Sequence, residues 1–553
     1  MPGKFSIVLL FIAFSIATVG QPLSKADKQL LASFDTLLMN AFKPNEPGAT
    51  AIISRKGQVI YKKAFGMADM ELNVPMQADM IFRIGSISKQ FTGVAILQLV
   101  EKGKLSLQDD IKKFIPDYPT HGYTITVEHL LTHTSGIKSY TGMTEFESMM
   151  RKDMKPLELI DVFKNQPMEF APGSKWNYNN SGYILLGYII EKVSGKSYEQ
   201  YVQENLFTPA GMTRSGYGND SRIILNRAKG YQQGKDGFEN AKYLSMTLPY
   251  AAGSLISTVE DLWKWNQALH SHKLVSKESL QKAFTDYKLS DGKSTRYGYG
   301  WSFGDIQGSA SIEHGGGING FVTDGIYLPA EDIFVAVFAN CDCRSLENLA
   351  PKMAALTLGK PYDQKEIAID EATAKEYTGV YENEAGEQRI ITAEGTKLTS
   401  QRSGGSKYRI KPFAKDKFFF ENSLSSLRFT RNTAGQIEKA YFKSRTEESE
   451  WKKTGKSIPS GPDIIKLDAA TLAAYVGEYE LAPSFVMTVS LEGDKLMVKA
   501  TGQSALEVFA ETTTRFFPKE VDAKLEFFKD DSGKVAHLIL YQGGRETKGN
   551  KIK

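Results

Sequence analysis

Three short clusters in this chain carry side chains able to break an amide or ester bond. Ser86 and Lys89 stand three residues apart in Ser86-Ile87-Ser88-Lys89. At the start of a helix that spacing puts both on one face, so the lysine amine can reach the serine oxygen. Burial disfavours an ammonium, and a neutral amine can take the proton of a serine that attacks a carbonyl. The positive end of the helix dipole favours the negative charge that then develops. Ser-x-x-Lys also begins at Ser135, Ser279, Ser290 and Ser449. Only at Ser86 does a glycine, Gly85, precede the serine and an apolar run follow the lysine.

The second cluster is Tyr178-Asn179-Asn180. A phenol beside a lysine can relay protons to a leaving group, and an amide can hold a substrate carbonyl. Tyr-x-Asn recurs at Tyr217 and Tyr381, so the pattern alone is weak, and a core-edge tyrosine is its plain alternative. The third is His314-Gly315-Gly316-Gly317, the chain's one His-x-Gly. It should lie on the edge strand just before the last hairpin, where its glycines would let a substrate backbone lie close and its N–H groups could stabilise an oxyanion. A glycine-rich turn is the bland alternative. His129 and His133 are four apart, but Leu130 follows His129 where the zinc-protease pattern has Glu, and no third ligand is suggested. No metal and no cofactor is expected. No Gly-x-Ser-x-Gly elbow encloses Ser86.

These clusters need a rigid support, and the sequence offers one. Thr50–Ser54 and Val59–Phe65 flank Lys56-Gly57 and read as a hairpin, as do Phe321–Leu328 and Ile333–Ala339 around Pro329-Ala330-Glu331-Asp332. Between them lies a long, mainly helical stretch. Lys89–Lys102 is apolar on every face, the pattern of a buried helix. Ser345–Leu358 reads as a last helix, stopped by Gly359 and Pro361. One antiparallel sheet built from both ends of residues 28–361, with helices packed on it and a helical insert, accounts for this pattern; the class is α/β.

Beyond Pro361 the texture is all-β, and it repeats. Tyr377-Thr378-Gly379-Val380-Tyr381 matches Tyr475-Val476-Gly477-Glu478-Tyr479, Phe418-Phe419 matches Phe516-Phe517, and Leu427-Arg428-Phe429 matches Leu525-Glu526-Phe527, each offset by 98 residues. Residues 372–456 and 467–553 are therefore two copies of one module, each with strands enough for a small barrel. Ser457–Pro462 reads as their linker.

The whole chain has 553 residues, 41% hydrophobic and 24% charged, which is globular composition. Its 68 basic and 64 acidic residues give a net charge of +4, too even for a dedicated nucleic-acid surface. Lys4, the apolar run Phe5–Ala17 and the small residues to Gly20 form a secretory-signal pattern over residues 1–20. The expected mature protein is exported, periplasmic or secreted, without stable membrane insertion. Cys341 and Cys343, two apart, read as small residues at a strand end, a spacing awkward for a mutual disulfide.

Ile84-Gly85-Ser86-Ile87-Ser88-Lys89-Gln90-Phe91-Thr92 resembles the nucleophile segment of the penicillin-recognising serine hydrolases, in their class C β-lactamase-like branch. Leu130-Leu131-Thr132-His133-Thr134-Ser135-Gly136, Trp176–Tyr183, Pro209-Ala210-Gly211-Met212 and Tyr297-Gly298-Tyr299-Gly300-Trp301 are similar to further segments of that branch. The resemblance implies the β-lactamase/transpeptidase-like fold, with Ser86 as nucleophile and Lys89 and Tyr178 as proton-transfer partners. It implies that Asn180 contacts substrate, that His314, Gly315 and Gly316 occupy the third motif, and that the Ser86 and Gly317 N–H groups form the oxyanion hole. The tail resembles the barrels appended to D-aminopeptidases and archaeal peptidases of the branch.

One departure matters. His-Gly-Gly stands where β-lactamases and many carboxypeptidases carry Lys-Thr-Gly, and a histidine is mostly neutral where lysine is charged. That shifts weight from penicillins and C-terminal D-Ala toward aminopeptidases, other peptide hydrolases and esterases of the branch, most of all a peptidase or aminopeptidase acting on small peptides or D-amino acid derivatives. A β-lactamase, a D-Ala carboxypeptidase, an esterase, or a non-catalytic ligand sensor on the same fold are the alternatives. The partner is a small-molecule or peptide substrate, and the sequence leaves the oligomeric state open.

Overall fold

The computed structural model describes residues 24–459, 463–482 and 485–553. The 1–20 signal pattern lies outside the described residues, as does part of the 457–462 linker. Among the described residues no helix is long and apolar enough to cross a membrane.

The elements that position the clusters follow in chain order. They are α1 (Lys25–Ala41), β1 (Ala49–Arg55), β2 (Gln58–Phe65), α2 (Ser88–Glu101), α3 (Asn180–Ser194), α4 (Tyr250–Gly253), β3 (Ser302–Ile306), β4 (Ser309–Ile318), β5 (Phe321–Leu328), β6 (Ile333–Ala339) and α5 (Leu349–Thr357). The strands form one antiparallel sheet in the order β3-β4-β5-β6-β1-β2, so the two chain ends meet where Ala49–Arg55 pairs with Ala339–Ile333. β6 is apolar at every position because both its faces are covered. Ala336 and Phe338 join the core around α2, while Val335 and Val337 join the smaller core under α1 and α5. Every residue of α2 from Ser88 to Leu99 is buried, so its all-round apolar pattern is the signature of a central helix.

Two expectations are corrected here. An S–S bond joins Cys341 to Cys343. The chain turns sharply at Asp342, which fixes the turn by accepting from the Gly320 N–H at 2.8 Å. The turn brings the two Cα atoms to 5.1 Å, inside the bridging range of roughly 4.4–6.8 Å. The last helix starts at Leu349, four residues after Ser345. Asn348 does not cap it; its amide donates instead to the Asn422 carbonyl of the tail at 2.9 Å.

The tail is two closed eight-stranded barrels, Gly379–Lys453 and Gly477–Lys551. Helix Glu371–Tyr377 plugs one end of the first, with Ala374 and Tyr377 in its core. The first barrel is clasped to the sheet through one turn. Asp305 N–H donates to the Arg445 carbonyl at 2.8 Å, and the Arg445 guanidinium pairs with Glu313, the residue before His314.

Candidate active site

Ser86 lies on a single 3-10 turn, Gly85–Ile87, that leads straight into α2. Gly85 has φ +50°, and a Cβ there would stand 3.0 Å from the Gly317 N and O. Only glycine gives both the left-handed turn and this approach. Behind it, a Cβ on Gly316 would reach within 2.1 Å of the Ile84 carbonyl oxygen. Thr323 Oγ1 donates to that same carbonyl at 3.0 Å. The Ile84–Ser86 segment is thus pinned edge-on to the sheet.

The glycine-rich cluster was expected on an edge strand. It lies on β4, the second strand, with β3 outside it. β3 covers β4 only from Ser309 to Glu313, because Ser302 already pairs with Glu313. His314–Ile318 therefore runs past the end of β3, uncovered on that side, and a Cβ on Gly317 would meet open space.

Lys89 is fully buried. Its Nζ lies 3.1 Å from Ser86 Oγ, 2.9 Å from Asn180 Oδ1 and 2.9 Å from the Ala252 carbonyl oxygen. No carboxylate is among these partners, and burial pushes its pKa well below the ordinary lysine value. The last two oxygens only accept. A neutral amine donates to both and keeps its lone pair for the Ser86 O–H, so three contacts fit three bonds.

Tyr178 is set beside this pair. Lys89 Nζ is 4.8 Å from its ring centroid. Its hydroxyl is buried without a formed hydrogen bond among the described residues. Burial raises the phenol pKa, and the nearby Ser86 hydroxyl offsets only part of that, so Tyr178 holds its proton at neutral pH. Asn179 and Asn180 divide their tasks. Asn179 Oδ1 caps α3 by accepting from Gly182 N–H at 2.8 Å, whereas Asn180 turns toward Lys89 and donates to Thr141 Oγ1 at 3.1 Å.

His314 is buried and spends both ring nitrogens inside the protein. Nδ1 lies 2.6 Å from the Gly315 carbonyl oxygen, which can only accept, so Nδ1 carries the proton. Nε2 then accepts from the Tyr297 hydroxyl at 2.8 Å. Burial, with the Lys89 charge second, lowers its pKa to about 4, against the Gly315 carbonyl. The ring is neutral at neutral pH. His133 is no partner of His129 on a helix, since that helix ends at Leu131 and His133 has φ +60°. It accepts from Asn179 N–H at 3.1 Å and packs 4.4 Å from the Tyr178 ring, centroid to centroid.

The structure thus brings Ser86, Lys89, Tyr178, Asn180, His314 and the Gly315–Gly317 strand to one place. Two participants escaped the sequence reading. The Ala252 carbonyl belongs to the short helix α4 and leaves no side-chain signal. Tyr297 opens the segment Tyr297–Trp301, whose sequence gives it no role; only the fold puts it on His314.

Residues 29–357 match the beta-lactamase family. The chain belongs to that family. It has the β-lactamase fold and is a serine hydrolase of this group, related to penicillin-binding proteins. Residues 462–551, the second barrel, match a domain family of unknown function, DUF3471. The chain is 29% identical over 428 residues to penicillin-binding protein 4* of Bacillus subtilis (strain 168), covering 73% of this chain and 93% of that one. A solved octameric penicillin-binding protein homologue from Pyrococcus abyssi is 29% identical, with a TM-score of 0.54, over 77% of this chain and all of that one. A D-stereospecific amidohydrolase from Streptomyces sp. is 26% identical, with a TM-score of 0.51, over 60% of this chain and 98% of that one.

Proposed function

We propose that this beta-lactamase-family protein cleaves amide bonds of small peptides or D-amino acid derivatives through an acyl-enzyme on Ser86. The observation that carries the reading is the environment of Lys89: a buried amine with two fixed acceptors and Ser86 Oγ as its third contact. As Ser86 Oγ bonds to the carbonyl carbon, its proton passes to the Lys89 lone pair. The negative oxygen is held by the Ser86 and Gly317 N–H groups. Tyr178 gives its proton to the leaving nitrogen as the C–N bond breaks and is reprotonated from Lys89. Water then repeats the sequence on the ester and frees the acid.

The neutral, internally bonded His314 supports amides over substrates that present a carboxylate to the third motif. A charged carboxylate there would meet no cation on that residue. The amidohydrolase named among the solved relatives points the same way. Export is part of the proposal. It rests on the 1–20 pattern, and the Cys341–Cys343 bond supports it, because disulfides persist in oxidising compartments.

The test is a panel of D- and L-amino acid amides, short peptides, p-nitrophenyl esters and a chromogenic cephalosporin, run beside Ser86→Ala and a fluorophosphonate label. Turnover and labelling that vanish together in Ser86→Ala are expected, with amides ahead of the cephalosporin. Undiminished labelling in Ser86→Ala would remove the nucleophile assignment.

A further inference from the structure

The first barrel buries an arginine that has no acid to pair with. Arg389 is 6% exposed. Its guanidinium carbon lies 4.5 Å from the Phe442 ring centroid, 4.7 Å from Trp451 and 6.0 Å from Phe420. Nη1 donates to Ser400 Oγ at 3.1 Å, while Nε is buried with no partner among the described residues. Glu387, at the same end of the barrel, is taken by Arg402, and Glu447 acts on Arg389 only at longer range. Burial lowers the arginine pKa only to about 10, so the group stays a cation at neutral pH. The stacked rings compensate part of its lost hydration. An unpaired buried charge is otherwise costly.

Its place in the barrel matters. Helix Glu371–Tyr377 closes the opposite end: Tyr377 bonds Asp416 and Glu376 pairs with Arg431, both at that end. Arg389 is the second residue of its strand, Gln388–Glu394, next to the turn at Asn383–Glu387. It therefore sits under the end opposite the helix, whose turns meet Asn348 through Asn422, Glu313 through Arg445 and the second barrel through Gly404.

The second barrel is a built-in control. Strand for strand the registers agree: Arg389 pairs with Arg402 as Met487 pairs with Ala500, and Ala440 pairs with Trp451 as Leu538 pairs with Gly549. At the positions of Arg389, Ser400, Phe442 and Trp451 the second copy has Met487, Val498, Leu540 and Gly549. It closes into the same barrel with an apolar end. The fold does not require the cation, so its retention in one copy calls for a ligand.

We propose that the end of the first barrel opposite the helix binds a small organic monocarboxylate, whose two oxygens accept from the Nε and Nη2 edge of Arg389. That edge is the one Ser400 leaves free, and paired N–H donors match a carboxylate. Phe442, the least buried of the three rings, supplies an apolar wall for the rest of the molecule. Glu387 and Glu447 at the same end disfavour a dianion, which sets a carboxylate ahead of a phosphate.

Isothermal titration of the full chain with benzoate, benzamide and inorganic phosphate at matched ionic strength tests this, with tryptophan emission followed in parallel. Saturable benzoate binding with a change in emission is expected. Arg389→Met, the residue of the second copy, should weaken it by roughly tenfold or more. Trp451→Phe should abolish the emission change and leave the heat. Benzamide should not compete. Benzoate heats equal in wild type and Arg389→Met, or no saturable benzoate binding, would overturn the site, and phosphate binding tighter than benzoate would overturn the ligand class. Should Arg389→Met fail to fold, Arg389→Lys keeps the charge without the two-donor edge; unweakened benzoate binding there overturns the proposal, and weakened binding supports it.

Discussion

Among the described lysines and arginines, two side chains are buried without a carboxylate partner, Lys89 under the sheet end and Arg389 inside the first barrel. Both are desolvated, yet burial moves them by very different amounts. Burial takes the Lys89 pKa well below its ordinary value. Arg389, with its charge spread over a plane, descends only to about 10 and stays charged. The same burial pushes the lysine toward its neutral form and leaves the arginine a cation. The neighbours fit: Lys89 faces a serine that has a proton to give, Arg389 faces aromatic rings and a free donor edge.

Substitution at the two positions should break the parallel. Lys89→Met should cost roughly 10²–10⁴-fold in kcat, the usual worth of acid–base catalysis; near-normal kcat would remove lysine as the base. The same variant should melt higher than wild type. In wild type the folded pKa of Lys89 lies below its unfolded value of about 10.4. The unfolded chain thus binds more protons, and stability rises with pH between the two values. The advantage of Lys89→Met should therefore be greatest at low pH and close toward pH 10 in melting scans.

A charge placed beside the amine sharpens the contrast. Asn180→Asp sets a carboxylate against Lys89 Nζ, which favours the ammonium. The acidic limb of the kcat/KM profile should move up by about 1–3 pH units; an unmoved limb would mean that Lys89 does not titrate in catalysis.

Sequence alone carried much of this site, for a physical reason. Ser86, Lys89, Tyr178 and Asn180 have functional groups on side chains, and α2 and α3 impose spacings that a reader can count. Likewise the 98-residue repeat shows through because each copy must rebuild the same barrel core, as with Tyr377 and Tyr475. What escaped depends on the folded path. The Ala252 carbonyl is backbone. The place of Gly315–Gly317 on an inner strand depended on how far β3 extends. The Cys341–Cys343 bond needed the turn at Asp342.

A smaller effect tests the support of the third motif. Tyr297→Phe deletes the donor to His314 Nε2 and frees the ring to change tautomer. A loss of about fivefold in kcat/KM is expected, the worth of one neutral hydrogen bond near 1 kcal/mol. An unchanged kcat/KM would make Tyr297 a packing residue only.

The smallest effect on activity should come from a paired cation. Arg445 has the acid that Lys89 and Arg389 lack, since it meets Glu313 with both side chains largely buried. Arg445→Met strands that carboxylate beside Asp324, whose pKa burial and then Glu313 already raise to about 8. Melting should fall by the equivalent of about 1–3 kcal/mol, while Arg389→Met holds or gains stability. Equal destabilisation by the two would erase the distinction between paired and unpaired cations.

The gap-free repeat has a consequence for how the chain assembles. Two neighbouring barrels with one strand order and one register invite strand exchange during folding, the common failure of tandem domains. The unlike barrel ends oppose it. A strand Gln388–Glu394 inserted into the second barrel would drive Arg389 among Val498 and Leu540, with neither Ser400 nor an aromatic stack to receive it. The reverse exchange would leave Met487 against Ser400 and strip that hydroxyl of its donor. Each copy thereby rejects the other's strand, and a chain that emerges with two near-identical topologies sorts them correctly by the polarity of a single end layer.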